Sequence, residues 1–110
     1  MDAQARFDAL VRQLAGQPGV QAPDSDGGRR FGADTLRFDG TIVAMLVDGA
    51  VVMKLPGDRV DALIRSGCGV PWDAGRGRRM RQWVALVDAD PTTTLGLGHE
   101  ALEFARARRR

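Results

Sequence analysis

Residues 35–57 have the sequence TLRFDGTIVAMLVDGAVVMKLPG, which carries the strongest structural signals of the chain. Two Asp-Gly pairs, at 39–40 and 48–49, separate three runs rich in apolar and β-branched residues. Asp-Gly between such runs favours two-residue type I′ turns, because both central positions accept a positive φ. The stretch therefore predicts a three-stranded antiparallel meander. Its strands are expected at 35–38, 41–47 and 51–55.

Two amphipathic patterns flank the meander. Apolar residues recur at the spacing of one helical face before it and after it, and they predict helices at 3–15 and 58–66. The faces consist of Phe7, Leu10, Val11 and Leu14 in the first helix and Val60, Leu63 and Ile64 in the second. Segment 17–30 is rich in Pro, Gly and Asp, so we expect a mobile loop there.

The last part of the chain predicts a hairpin and a third helix. An extended segment at 70–73 and an alternating strand at 80–87 follow the second helix. Asp90-Pro91 is a helix-start signal, and the last helix should end near residue 108. Gly96 and Gly98 each cost about 1 kcal/mol inside a helix. This leaves two possible starts, Pro91 or a residue after Gly98.

The element order is therefore α-β-β-β-α-β-β-α, within a single domain spanning 1–110. A chain of 110 residues is long enough to form one hydrophobic core but not two. Its composition, 44% hydrophobic and 27% charged, is that of an ordinary globular domain. The short connections favour antiparallel pairing over parallel βαβ units. We expect an α+β fold of two layers, with a single antiparallel sheet and the helices on one of its faces.

Several functional classes find little support in the composition. The longest unbroken apolar run, 42–47, is far shorter than the ~20 residues of a membrane helix, and the N-terminal residues have no apolar signal region. One cysteine (Cys68) and one histidine (His99) leave no metal-ligand pattern. We therefore expect a cytoplasmic protein that does not contact membranes, needs no cofactor or metal and is not an enzyme.

Weak catalytic or binding motifs have simpler structural interpretations. Residues 96–101 match G-x-G-x-x-A, but only nine residues follow, too few for a dinucleotide-binding unit. His99 lies one helical turn from Glu103, a spacing that is usual on a solvated helix face. Cys68 should pack in the interior, and Asp58 and Asp90 should cap helices.

A basic cluster and two tryptophans remain as candidate binding residues. Four arginines crowd a Gly-rich hairpin tip, at Arg76, Arg78, Arg79 and Arg81. Such a tip either contacts phosphates or is a solvated turn. Trp72 and Trp83, on adjacent strands of this hairpin, either form a stacking platform for single-stranded nucleic acid or pack the sheet against helices.

The register of the meander predicts a second interaction surface. With two-residue turns, Val43, Met45, Val47 and Val52 share one face with Leu36 and Phe38, whereas Ile42, Ala44, Leu46, Val51, Met53 and Leu55 share the other. Both faces are apolar, but helices on one side cover only one of them. Loop 17–30, a partner or a second copy must cover the other face. We expect a homodimer with Val43, Met45 and Val52 at its interface.

Short motifs at the ends of the predicted elements resemble those of the N-terminal domain of the TfoX/Sxy proteins, and more weakly those of the YjbR type. The resemblance covers roughly 31–107. It is carried by Phe31-Gly32, Met53-Lys54-Leu55, Gly69-Val70-Pro71-Trp72 and Met80-Arg81-Gln82-Trp83. It implies an α-β(3)-α-β(2)-α fold of the secretion-chaperone-like kind.

The functional implication of this resemblance is a non-catalytic regulatory or protein-interaction domain. Named TfoX/Sxy members regulate competence genes together with a DNA-bound activator, so a protein partner in transcription is expected. They carry a second, C-terminal domain that these 110 residues do not include. The alternative is a direct nucleic-acid-binding protein that uses the basic hairpin at 76–81.

Overall fold

The computed structural model describes residues 2–22, 34–72, 81–87 and 90–108. The elements in these ranges are α1 (Ala3–Leu14), β1 (Val20–Gln21), β2 (Thr35–Phe38), β3 (Thr41–Val47), β4 (Ala50–Lys54), α2 (Gly57–Ser66), β5 (Gly69–Pro71), β6 (Trp83–Leu86) and α3 (Pro91–Arg108). The six strands form one antiparallel sheet in the order β1-β2-β3-β4-β6-β5. The predicted α+β class with a single antiparallel sheet is confirmed.

Both predicted Asp-Gly turns are present. Asp39 and Gly40 have φ values of 51° and 86°, and Asp48 and Gly49 have values of 49° and 76°. Positive φ at both central positions is the type I′ geometry, which matches the right-handed twist of the strands that it joins. Each turn has two residues, so the hairpins begin in the predicted register.

A β-bulge within β3 then changes which residues share a face. Leu36 is opposite Ala44 while Arg37 is opposite Ile42, so Val43 is an extra residue in β3. Val43 and Ala44 both lie fully buried in the helix-covered core. The prediction that placed Val43 on the outer face is therefore wrong. The Asp-Gly turn predicts the pairing next to the turn, but the bulge lies further along the strand.

The same bulge corrects other face assignments. Leu36 is in the core and Phe38 packs against it, although both were predicted on the outer face. Ile42, predicted on the core face, instead shares the outer face with Arg37. In the unbulged β3–β4 pair the predicted register is confirmed: Met45 pairs with Val52, away from the core cluster.

All three helices pack on one face of the sheet. Helices α1 and α3 contact each other and the central strands, and α2 contacts β5 and β6. Gly98 lies at the crossing of α1 and α3, where any Cβ would overlap the buried Leu10 side chain. Helix α3 starts at Pro91, so both glycines lie inside it. Its start is capped by the Asp90 carboxylate, which accepts a hydrogen bond from the Thr93 N–H at 2.7 Å.

Segment 17–30 contains one element that was not predicted. Val20 and Gln21 form β1 and pair with Phe38 and Arg37 at the edge of the sheet. The prediction of a loop is thus wrong at these two residues, since a two-residue strand is too short to leave a pattern in the sequence. The rest of that loop from residue 23 onwards lies outside the described residues. No described helix is both long enough and apolar enough to cross a membrane.

Candidate functional site

An open cleft of about 600 Å³ lies where β4 ends, α2 begins and the chain enters β6. It is lined by Lys54, Gly57, Asp58, Arg81, Gln82 and Trp83. The Leu55 N–H donates to the Gln82 carbonyl at 2.9 Å, which ties two walls of the cleft together. The volume lies within the roughly 300–1,000 Å³ of small-molecule sites. We call this site the basic–aromatic cleft.

Lys54 and Trp83 form the centre of the cleft. They are direct cross-strand partners in β4 and β6, and the Lys54 Nζ lies 5.6 Å from the centroid of the Trp83 ring. This is a cation–π contact, in which the electron-rich ring face attracts the ammonium. Partial burial lowers the pKa of Lys54, and the nearby positive charge of Arg108 lowers it further.

The second tryptophan extends the aromatic surface. The Trp72 and Trp83 rings have centroids 5.4 Å apart and planes inclined by 52°, a tilted contact between two half-buried indoles. Both lie outside the helix-covered core cluster. They therefore do not take part in the packing of the sheet against the helices, and the role as a stacking platform stays a prediction.

Arg81 brings a second cation to the cleft. A Cβ on Gly57 would lie 3.9 Å from Arg81 Nη2, so the guanidinium lies beside the first residue of α2. Asp58 is in the first turn of that helix, and its N-cap is Pro56. The prediction of Asp58 as the capping residue is therefore wrong, because the helix starts one residue earlier, at Gly57. The Asp58 carboxylate accepts a hydrogen bond from the Arg59 N–H at 3.0 Å.

The predicted basic hairpin is represented in the structure by Arg81. Arg76, Arg78 and Arg79 lie outside the described residues. Arg81 is exposed and lines the cleft. Lys54 lines it too, although the sequence analysis did not identify Lys54 as a candidate binding residue. Lys54 is the single lysine of the chain, but its position beside Trp83 depends on the pairing of β4 with β6, which no local pattern reveals.

The predicted dimer face is divided by the bulge. Val43 belongs to the core, whereas Met45 and Val52 face each other on the outer side. Val52 is fully buried there and Met45 is half-buried. The large hydrophobic residues that are most exposed in the described ranges are Val70 (42%) and Val87 (51%). Val70 is opposite Ala85, which is in turn opposite Val52, so it shares their face.

A second concave surface lies between α2 and α3 and contains His99. It is lined by Pro56, Asp58, Arg59, His99, Glu100, Glu103 and Phe104. Arg59 makes a bidentate ion pair with Glu100, at 2.9 and 3.2 Å, and Arg106 pairs with Glu103 at 2.6 Å. Both carboxylates next to His99 thus bind arginines, and the arrangement is that of a solvated helix face.

The remaining candidates from the sequence have structural roles. Residues 96–101 lie inside α3, so the G-x-G-x-x-A match is not a phosphate-binding turn. Cys68 is half-buried and packs against the core. Among the described residues, no group of three or more His, Cys, Asp or Glu side chains could hold a metal ion.

Comparison of the chain with protein-family models, with curated proteins and with solved structures finds no match.

Proposed function

We propose that this chain is a non-catalytic regulatory domain that acts by binding, of the TfoX/Sxy N-terminal type that its sequence resembles. Three residues of the resembling motifs support the proposal, because Lys54 and Trp83 line one cleft and the Trp72 ring contacts Trp83. These motifs lie on three different strand ends, so their convergence is a property of the fold. The proposed setting is the cytoplasm.

Two modes of binding are compatible with such a domain, contact with a protein partner in transcription and direct contact with nucleic acid. The basic–aromatic cleft favours nucleic acid. Lys54 and Arg81 offer two cations to phosphates, and Trp83 with Trp72 offers a ring surface to bases. The position of two cations and the Trp83 indole in one cleft is the observation that carries the proposal.

Fluorescence anisotropy with labelled oligonucleotides tests whether the cleft binds nucleic acid. Affinity should fall steeply between about 50 and 200 mM salt, because each phosphate contact releases condensed counterions. Replacing Arg81 with Gln should weaken binding and reduce the slope of log affinity against log salt by about 0.7–0.9.

Arg65→Gln is the matched control for this experiment. Arg65 is exposed and lies eight residues after Gly57, about 12 Å along α2 from the cleft. Its removal changes the net charge equally and should leave affinity and slope nearly unchanged. Binding that does not respond to salt, or equal losses in the two variants, would overturn nucleic-acid binding at this cleft.

The homodimer remains a proposal, with a corrected surface. The bulge places Val43 in the core, so Met45 and Val70 are the apolar residues of the outer face that a second copy would contact. A symmetric contact between two copies would cover these apolar side chains. Sedimentation at micromolar concentration tests it: Met45→Lys should lower the dimer fraction, and a monomeric wild-type protein would contradict it.

A further inference from the structure

The basic–aromatic cleft combines an aromatic ring with two cationic side chains. The half-buried Trp83 indole lines the cleft, and Lys54 Nζ lies over its ring, 5.6 Å from the centroid. Arg81 lines the same cleft from the entry to β6. A ligand that uses all three must have a flat ring and an anionic group only a few ångströms apart.

We propose that the cleft binds one unpaired nucleotide of a single strand, with its base against the Trp83 indole and its phosphate between Lys54 and Arg81. This inference rests on the proposed binding of nucleic acid and adds the form that is recognised. A base inside a duplex is covered on both faces by its stacked neighbours, so only an unpaired base can lie against an indole.

The charges around the cleft predict how a bound phosphate would change the ionisation of Lys54 and how Asp58 would affect binding. Burial and the Arg108 charge both disfavour the Lys54 ammonium in the unliganded domain. A phosphate beside it would favour the charged form, so binding should raise the pKa of Lys54. Asp58 lines the same cleft and repels an anion. Asp58→Asn should therefore tighten binding severalfold, an increase that a purely structural role for Asp58 would not produce.

The decisive comparison uses oligo(dT), a duplex of equal length and thymidine monophosphate, all at one salt concentration. We expect the single strand to bind at least about tenfold more tightly than the duplex, and more tightly than the mononucleotide. Trp83→Leu should weaken single-strand binding by about 5- to 150-fold, the range found when a stacking side chain is removed, while Trp83→Phe should retain most of the affinity.

The outcomes separate this inference from the function on which it rests. Salt-dependent binding that Arg81→Gln weakens, with equal affinity for duplex and single strand, would overturn the unpaired nucleotide and leave nucleic-acid binding in place. Mononucleotide binding as tight as that of oligo(dT) would also overturn it, because a strand would then add nothing. Failure of both nucleic acids to bind would overturn both proposals.

A measurement on the unaltered protein covers the case in which Trp83→Leu does not fold. Lys54 is the only lysine, so its side-chain NMR signal needs no assignment. Oligo(dT) should raise the pKa that this signal reports and quench tryptophan fluorescence. An unchanged Lys54 titration at saturating oligo(dT) would contradict the placement of the phosphate.

Discussion

The two faces of the sheet differ in what their residues do, although both contain apolar side chains. On the helix-covered face Leu36, Val51 and Met53 are fully buried in one continuous core. On the outer face Val52 is also fully buried, and Lys54, two residues further along β4 on the same face, lines the cleft. Apolar residues on both faces thus indicate a need for burial, but the helices pack on only one of them. The outer face carries the Lys54 cation and the Trp83 ring as well as apolar side chains.

The largest expected difference in stability between the two faces comes from introducing a charge at Val43 or at the adjacent Ile42. Val43→Lys puts an unpaired ammonium into the core and should cost more than about 4 kcal/mol, enough to unfold a marginal domain. Ile42→Lys changes the adjacent, half-buried residue on the outer face and should cost about 1 kcal/mol or less. Circular dichroism and urea unfolding measure both. The reverse order would show that β3 has no bulge.

A matched pair of methionines tests the two faces with one substitution. Met53→Ala removes a fully buried side chain from the core and should destabilise the domain by about 2–5 kcal/mol. Met45→Ala, on the outer face of the adjacent strand, removes a half-buried side chain and should cost less than half as much. Chemical denaturation gives both free energies of unfolding. Equal losses would mean that the outer face is as tightly packed as the core.

Two glycines of α3 allow a buried and an exposed position of the same helix to be compared. Gly98→Ala places a methyl group against Leu10 in the buried contact between α1 and α3, which should cost about 1–3 kcal/mol despite the better helix propensity of Ala. Gly96 is exposed and faces open space, so Gly96→Ala should stabilise the domain by up to about 1 kcal/mol. Thermal unfolding of both variants shows the opposite signs. A stabilising Gly98→Ala would contradict the close helix crossing.

The smallest expected effect is the titration of Lys54 on the outer face. Its pKa is lowered from 10.5 by burial and by Arg108, so at high pH the unfolded chain holds a proton that the folded domain has released. Stability therefore rises with pH between the lowered value and 10.5. Arg108→Gln should move the Lys54 NMR titration towards its ordinary value. The same titration in both proteins would exclude Arg108 as a cause.

The positions of most helices and strands could be predicted from the amino-acid sequence, because their signals are local. Asp-Gly pairs at 39–40 and 48–49 require only that their own residues adopt positive φ. Asp2 and Asp90 cap α1 and α3 through hydrogen bonds to N–H groups three residues ahead, at 2.8 and 2.7 Å. Gly67 ends α2 in the left-handed conformation that favours glycine.

The faces of the bulged strand and the composition of the cleft depend on tertiary contacts. The bulge places Val43 in the core beneath the helices, and a period-two pattern contains no sign of it. A Cβ at Gly98 would overlap the side chain of Leu10, which lies far away in the sequence. Lys54, Arg81 and Trp83 meet because β4 pairs with β6 across the intervening α2 and β5. These outcomes depend on contacts between distant segments, and local propensities do not contain that information.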